Sequence, residues 1–350
     1  MHQYQNILVH ALVNLGDVLL STSAVALLRQ AYPGARITMM VRPAAAELVV
    51  NNPVIDEVIV YDYKSRHRSL RGLWHMVRLL KSKRFDLSVS LDRKLRPALL
   101  TWLARIPERV GPERLFDDKP SRVTGFYTKV ISLSYDIINT LQVENVQEIV
   151  RGFTGAQGSA DPVMADIQPE NEAKRQRLFA ELPLKKKKIA LCVKGTFALK
   201  DWPQERFAAL IDRLDEKQDA AFFVVGAPED KAYADAVIAM TSVPVANFCG
   251  RTGLVDLAAV LKQSDLFITV DTGAAHIAAT TGVPQVVIYG CTSPKRWHPR
   301  SARAHVLSSY EPCCPCSLAA DACPEHLCMR RITVDNVVAV AEKTLSMTTG

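Results

Sequence analysis

Residues Val270 to Pro294, with the strand that leads into them, constrain the fold of this chain more than any other stretch. Leu266 to Val270 is an apolar, β-branched run of strand length, Asp271-Thr272-Gly273 supplies a sharp exit, and Ala274 to Thr281 is alanine-rich enough to start a helix at once. Gln285 to Tyr289 is a second strand. Backbone N–H groups at the start of such a helix have no partner within it, and the helix dipole favours an anion there. Gly273 adds no side chain, so a phosphate can come close. The segment reads as a cradle for a nucleotide diphosphate.

The same alternation of strand and helix runs through the chain twice, which implies an α/β protein of two doubly wound, parallel-sheet domains. A length of 350 residues exceeds one typical core, and 48% apolar with 23% charged residues is a globular composition. Strands are expected at 6–13, 36–41, 57–61 and 86–91, with helices at 18–31 and 70–83. Residues 152–169, rich in Gly, Ala, Ser, Asp and Pro, read as a linker. A helix at 170–182 then leads to strands at 188–193, 221–225, 244–248, 266–270 and 285–289. A helix at 334–345 closes the chain. The expected division is 1–168, 169–332, and 333–350 for the last helix and tail. Sheets of this kind bind ligands beyond the C-terminal ends of their strands, so a cleft between the domains is the expected site.

The apolar run Ile7 to Val13 is interrupted by Asn14, Gly16 and Asp17 and has no basic segment before it, so it reads as a strand and turn, not as a signal peptide. No uncharged run is long enough to span a bilayer, which leaves only peripheral membrane contact. The net charge is +7, and from Lys64 to Arg96 there are eleven Lys or Arg against two Asp. These are either solvated helix and loop charges or a surface for phosphates, carboxylates or an anionic bilayer. No recognition motif or aromatic interleaving points to nucleic acid.

Of eight cysteines, Cys192, Cys249 and Cys291 lie in or beside apolar runs and read as small core residues. Cys313, Cys314, Cys316, Cys323 and Cys328 cluster around His326. They form either an ordered thiol-rich loop or a structural metal site using Cys313, Cys316, Cys323 and Cys328.

The remaining motifs fall at strand ends. Asn14-Leu15-Gly16-Asp17 follows the first strand but lacks the later glycines of a dinucleotide fingerprint, which weakens a dehydrogenase reading. Gly16 permits a tight turn, and Asp17 is either a first-turn acid complementing the helix dipole or a general base. In Lys194-Gly195-Thr196-Phe197-Ala198-Leu199-Lys200-Asp201-Trp202-Pro203, Pro203 starts a helix, leaving Thr196 and Lys200 in the preceding loop. A lysine facing a phosphate-binding helix start can neutralise a departing diphosphate. Glu229 and Asp230 close another strand, where an acid can accept ribose hydroxyls or cap a helix. Gly250-Arg251-Thr252-Gly253 forms a loop at the same rim, suited to an adenine. His276 lies one helical turn beyond Gly273 and faces the same anion, while Asp271 would repel a phosphate and therefore reads as orienting Lys200, His276 or the turn amides.

With NLGDVLLSTSAVALLRQAYP, KDWPQERFAAL, GAPED and VDTGAAHIAATTGVPQVVIYGCTSPKRWHP in place, the chain resembles glycosyltransferase family nine, the ADP-heptose:lipopolysaccharide heptosyltransferases. The tail CCPCSLAADACPEHLCM is similar to the family's cysteine-bearing version. The resemblance implies a GT-B fold of two Rossmann-like domains around an interdomain cleft. It implies inverting transfer of L-glycero-D-manno-heptose from ADP to the lipopolysaccharide inner core, with no metal or other cofactor needed for catalysis. By motif position it makes Asp17 the base, with Gly16 beside it on the acceptor side. Lys200 and Thr196 match the donor phosphate loop, and Asp271, Thr272, Gly273 and His276 match the diphosphate signature. The ribose acid falls on Asp230 with Glu229 adjacent, and Thr252 stays in the donor rim.

Under the resemblance, Arg93, Lys94 and Arg96 are expected to hold an acceptor of lipid A-Kdo or heptosylated-core type at the cytoplasmic face of the inner membrane. A family member with another nucleotide sugar or surface glycan, or a non-catalytic paralogue that only binds the ADP-sugar, fits the same motifs. Intact Asp17, Lys200 and His276 argue against the latter.

Overall fold

The computed structural model describes residues 3–115, 120–133, 135–316, 323 and 325–347. The chain divides into two compact units, 1–166 and 167–350.

The first unit holds β1 (Asn6–His10), α1 (Leu15–Ala31), β2 (Arg36–Val41), β3 (Glu57–Val60), α2 (Leu70–Lys83), β4 (Leu87–Ser90), α3 (Leu95–Leu103), β5 (Glu108–Pro112), β6 (Lys129–Ile131) and α4 (Gln142–Thr154). Its six strands are parallel, in the order β3-β2-β1-β4-β5-β6. Parallel strands are joined by helices that cover the sheet faces, so central strands lose their alternation and become apolar throughout. Ile7, Leu8 and Val9 of β1 are fully buried, as is Val89 of β4. Helix α1 packs on α4 and buries every residue from Val18 to Leu28.

The second unit runs α5 (Pro169–Phe179), β7 (Lys187–Cys192), α6 (Gln204–Asp215), β8 (Ala220–Val224), α7 (Lys231–Ile238), β9 (Val245–Asn247), α8 (Leu254–Lys262), β10 (Leu266–Val270), α9 (Gly273–Thr281), β11 (Gln285–Tyr289), α10 (Pro294–Trp297), β12 (Ala304–Ser308), α11 (Leu327–Arg330) and α12 (Val334–Ser346). Its sheet order, β12-β11-β10-β7-β8-β9, repeats the first unit's pattern of reversal. In each sheet the order changes direction between the unit's first and fourth strands, β1/β4 and β7/β10, and that is where ligand-binding loops collect.

The expected strand positions agree with the sheets to within a few residues at each end, but β5, β6 and β12 were not anticipated. All lie toward sheet edges, and β5 carries Glu108, Arg109 and Pro112, so none has the apolar signature of a central strand. The boundary between the units, at 166/167, falls within the 152–169 stretch read as a linker, but most of that stretch belongs to the first unit. Helix α4 continues to Thr154, and the segment after it is tied to the first unit: Val163 N–H donates to Thr22 Oγ1 at 2.8 Å, Asn52 Nδ2 to the Val163 carbonyl at 2.7 Å, and Ala165 N–H to the Leu48 carbonyl at 2.9 Å. Its small and polar residues serve that attachment.

The last helix, set apart in the sequence-based division, packs into the second unit. Val337, Val338, Ala341 and Leu345 join one apolar cluster with Trp202, Phe207, Phe222 and Ile268. Trp202 is fully buried, meets Phe207 edge-on at 5.0 Å between ring centroids, and donates Nε1–H to the Ile332 carbonyl at 2.9 Å. One side chain thus fills the core and satisfies a carbonyl just ahead of α12. We expect Trp202→Ala to lower the stability of the second unit by about 3–5 kcal/mol, read as a fall in the urea midpoint, because it leaves a large cavity in the centre of this cluster.

Candidate functional site

β7 and β10 are neighbours, with Leu191 opposite Ile268 and Cys192 opposite Thr269, so the segments that follow them leave the same sheet edge. Beyond β7 the loop is shaped by Asp201, whose Oδ1 accepts the Gly195 N–H at 2.7 Å. A Cβ on residue 195 would come within 2.5 Å of Lys200 Cβ, so only glycine allows the loop to fold back on itself here. Burial pushes the Asp201 carboxyl up, against the pull of the Gly195 N–H. A single turn, Ala198–Lys200, follows, and its Leu199 carbonyl lies 2.9 Å from His326 Nε2.

That turn delivers Lys200 to the acid beyond β10. Lys200 Nζ stands 2.7 Å from Asp271 Oδ2, with the two side chains only 14% and 7% exposed. The same Asp271 oxygen accepts the Thr292 hydroxyl at 2.7 Å. Asp271, expected to orient Lys200, His276 or the turn amides, is paired here with Lys200. The ammonium also stands 5.1 Å from the centre of the Phe197 ring.

Thr272 caps α9, its Oγ1 accepting the Ala274 N–H at 3.2 Å, and Gly273 is the first helical residue. Gly273 is thus inside the helix and has no left-handed φ; its contribution is the missing side chain. His276, one turn on, is 6% exposed, and its Nδ1 has no hydrogen-bond partner among the described residues. Burial lowers its pKa to about 4, with Asp271 opposing and Lys200 and His298 assisting. The ring is neutral at pH 7 and keeps one N–H donor and one acceptor nitrogen.

The other residues expected on the donor side line the neighbouring loops. Lys194 Nζ meets Asp230 Oδ1 at 2.9 Å, and Asp230 Oδ2 accepts the Ala227 N–H at 3.0 Å, whereas Glu229 is exposed. Gly250 has φ of 74° and runs so close to Pro228 that a Cβ would lie 2.9 Å from its Cα. Thr252 is half-buried just ahead of α8, and Thr196 is exposed. Asp256, 8% exposed, accepts the Gly253 N–H at 2.9 Å and bonds to Asn171 and Lys174 at 2.8 and 2.6 Å. Burial works against its ionisation, but the Lys174 and Asn171 contacts outweigh it and hold the carboxyl below its ordinary range.

In the first unit β1 and β4 are likewise adjacent, with His10 opposite Ser90. Asp17 is the third residue of α1, half-buried. The expectation that Gly16 makes the tight turn is corrected. Helix α1 already begins at Leu15, Gly16 has no left-handed φ, and the approach is held by Arg42, whose Nε donates to the Val13 carbonyl at 2.8 Å. Beyond β4, Asp92 is fully buried: Oδ2 accepts the Leu12 N–H at 2.8 Å and lies 3.4 Å from His10 Nδ1, while Oδ1 accepts the Lys94 N–H at 2.9 Å. Asp92 thereby joins the segment leading into α1 to the Arg93-Lys94 loop. Lys94 is exposed and Arg93 half-buried. Arg96 turns its guanidinium to the carbonyls of Tyr63 and Arg68, both at 3.2 Å, and so straps down the loop before α2.

Asp92, Asp201, Asp256, Thr292 and His326 were missed as positioning residues. For Asp92 the signal was present, an acid two residues past an apolar strand in Leu91-Asp92-Arg93-Lys94. Cys192, Cys249 and Cys291 are buried. In the cysteine-rich tail Cys316 donates its N–H to the Cys291 carbonyl at 2.9 Å, Cys313 is exposed, Cys323 is half-buried and Cys328 is buried. Residues 317–322 and 324 lie outside the described residues. Among the described residues no group of three or more His, Cys, Asp or Glu is arranged to hold a metal ion, and no helix is long and apolar enough to cross a membrane.

A family model described as glycosyltransferase family 9 (heptosyltransferase) matches residues 73–326. Lipopolysaccharide heptosyltransferase 3 of Escherichia coli is 24% identical over 293 residues, 82% of this chain and 84% of that protein. The crystal structure of a family 9 glycosyl transferase from Veillonella parvula superposes with a TM-score of 0.87 at 25% identity, covering 99% of both chains. The E. coli heptosyltransferase WaaC, solved with ADP, gives 0.72 at 20% identity, covering 97% of this chain and 100% of that one. The paired six-stranded parallel sheets are those of the GT-B fold.

Because His276 is buried neutral, the unfolded chain binds a proton at higher pH than the folded one. Its contribution to stability is present above pH 6.5 and is lost as pH falls toward about 4. Between pH 7 and pH 5 wild type should lose about 2 kcal/mol more than His276→Asn does, measured by urea unfolding of both proteins at each pH.

Proposed function

Since the chain belongs to glycosyltransferase family 9, the heptosyltransferases, we propose that it transfers heptose from ADP-L-glycero-D-manno-heptose to the inner core of lipopolysaccharide, with inversion at the anomeric carbon. The observation that carries this reading is the Lys200–Asp271 pair beside the start of α9 and the buried His276. A cation, helix N–H groups and a neutral imidazole together suit a diphosphate. The ADP in the WaaC structure favours the same donor class.

In this mechanism Asp17 takes the proton of an acceptor hydroxyl, and the oxygen attacks the anomeric carbon from the face opposite ADP. The bond from that carbon to the β-phosphate oxygen breaks, and its electron pair leaves with ADP. Charge growing on the phosphate is met by Lys200 and the Thr272-Gly273 amides, which makes a divalent cation unnecessary. Thr196 and His276 add hydrogen bonds to the phosphates or sugar. Glu229 or Asp230 takes the ribose hydroxyls. The prior commitment of Asp230 to Lys194 and Ala227 favours the exposed Glu229 for direct contact. Thr252 borders the adenine.

On the acceptor side Gly16 leaves room beside Asp17, and Arg93 and Lys94 answer the carboxylates and phosphates of a Kdo-bearing or heptosylated core. Arg96 acts by holding its neighbouring loop. The setting is the cytoplasmic face of the inner membrane, with peripheral contact and no nucleic acid. Mass and linkage analysis of products formed from ADP-heptose and truncated core acceptors tests the reading. Turnover only with another nucleotide sugar or another glycan would replace it.

Asp17→Ala should lower kcat by about 10²-fold or more with ADP affinity unchanged, as expected for a lost general base. Normal turnover would remove Asp17 from the mechanism. Lys200→Ala should lower kcat by a similar factor of about 10² or more and, unlike Asp17→Ala, also weaken ADP binding, read by calorimetry.

A further inference from the structure

The basic excess of the first unit is concentrated on one outward-facing surface. From Tyr63 to Phe85 there are eight Lys or Arg and no acid. Lys83 pairs with Glu57. Lys64, Arg66, Arg68, Arg71, Arg78, Lys81 and Arg84 are all exposed, and none makes an ion pair among the described residues. An unneutralised group of this size attracts an anionic surface.

Helix α2 divides this charge from the core. Met76, Val77 and Leu80 are buried, with Leu73 packed beside them, in the cluster that includes Tyr61 and Phe85. The opposite face carries two large apolar side chains that the fold does not use. Leu70 is 76% exposed and Trp74 is 50% exposed. At spacing i, i+4 they are neighbours on the helix surface, and Arg71, Arg78 and Lys81 flank them. Such a face buries its indole and leucine at a lipid headgroup boundary while its cations meet lipid phosphates.

The face is held rigid. Ser69 Oγ caps α2 by accepting the Gly72 N–H at 3.1 Å. A Cβ on Gly72 would come within 2.6 Å of His67 Cα, so the basic loop lies directly against the helix start. Arg96 fixes that loop from α3 through its carbonyls.

We propose that the exposed face of α2, with the loop at residues 64–68, is the surface by which this protein docks on an anionic phospholipid bilayer, Trp74 and Leu70 entering the headgroup layer between the cations. This deepens the peripheral membrane contact of the proposed function and rests on that reading for its setting. The chemistry of the face needs no glycan.

The test is flotation of the full-length protein with vesicles of phosphatidylcholine alone and of equal parts phosphatidylcholine and phosphatidylglycerol, both free of glycan, at low and high salt. Binding should require the anionic lipid and weaken with salt. Trp emission should shift to the blue on binding in wild type and not in Trp74→Phe. Trp74→Ala and the double variant Arg71→Glu, Arg78→Glu should each reduce the bound fraction, the charge reversal by about tenfold or more, with circular dichroism and ADP affinity unchanged.

Failure of wild type to float with anionic vesicles, or binding that survives these substitutions, overturns the proposal. So does binding to double-stranded DNA that is as tight as to the vesicles and unaffected by Trp74→Ala. Because no heptose acceptor is present, failure here leaves the transferase reading intact, and failure of transfer in a soluble-acceptor assay leaves the vesicle result intact.

Discussion

Everything at the candidate donor site depends on two parallel strands lying side by side while their connections go opposite ways. β7 sends its chain to β8 on one side, and β10 sends its chain to β11 on the other. The divergence leaves a gap at the sheet edge that no helix of the sheet itself fills. The loop after β7 and the helix after β10 both open onto it. The Lys200–Asp271 pair closes the distance between them, and Thr292, just beyond β11, steadies the acid. Residues some seventy positions apart become one constellation because the register sets Cys192 beside Thr269.

Charge in these loops is arranged before any ligand arrives. Lys194 is paired with Asp230, Lys200 with Asp271, and the Gly195 amide with Asp201. Each pairing holds a donor-side group in one geometry, which is what electrostatic preorganisation requires. An arriving diphosphate would share Lys200 with Asp271, so the cation would not have to be desolvated or reoriented. A buried lysine without that partner would be costly, and Asp271, beside the Thr272-Gly273 turn, meets this need.

Much of this was legible in the sequence because parallel sheets write themselves in apolar runs. Leu266–Val270 and Gln285–Tyr289 are buried at every residue, and each is a β-branched apolar run of strand length. β5 and β6 lie where polar residues and proline are tolerated, and such strands leave no comparable trace. At the site, glycines and acids at strand ends stood out, as with Gly273 and Asp271. What could not be read was partnership. That Asp230 gives one carboxylate oxygen to Lys194, or that Arg96 reaches the Tyr63 carbonyl, depends on distances between loops far apart in the sequence. The turn near Gly16 was misjudged for a related reason: an arginine far along the chain, Arg42, holds it.

The two units use one device for different ends. In each, an acid just beyond the fourth strand reaches back to the segment that follows the first strand. Asp92 meets the Leu12 amide and His10 in the first unit, and Asp271 meets Lys200 in the second. Both acids are buried, but their partners differ. An amide and an imidazole in the core, at 0–1% exposure, complete a closed network whose effect is to fix the segment leading into α1 and the Arg93-Lys94 loop. A lysine that remains 14% exposed keeps its charge available at the sheet edge. The same backbone geometry therefore holds a closed joint in one unit and a partly exposed cation in the other. The partner at the end of the first strand decides which, and that choice takes only a few side chains on an otherwise shared fold.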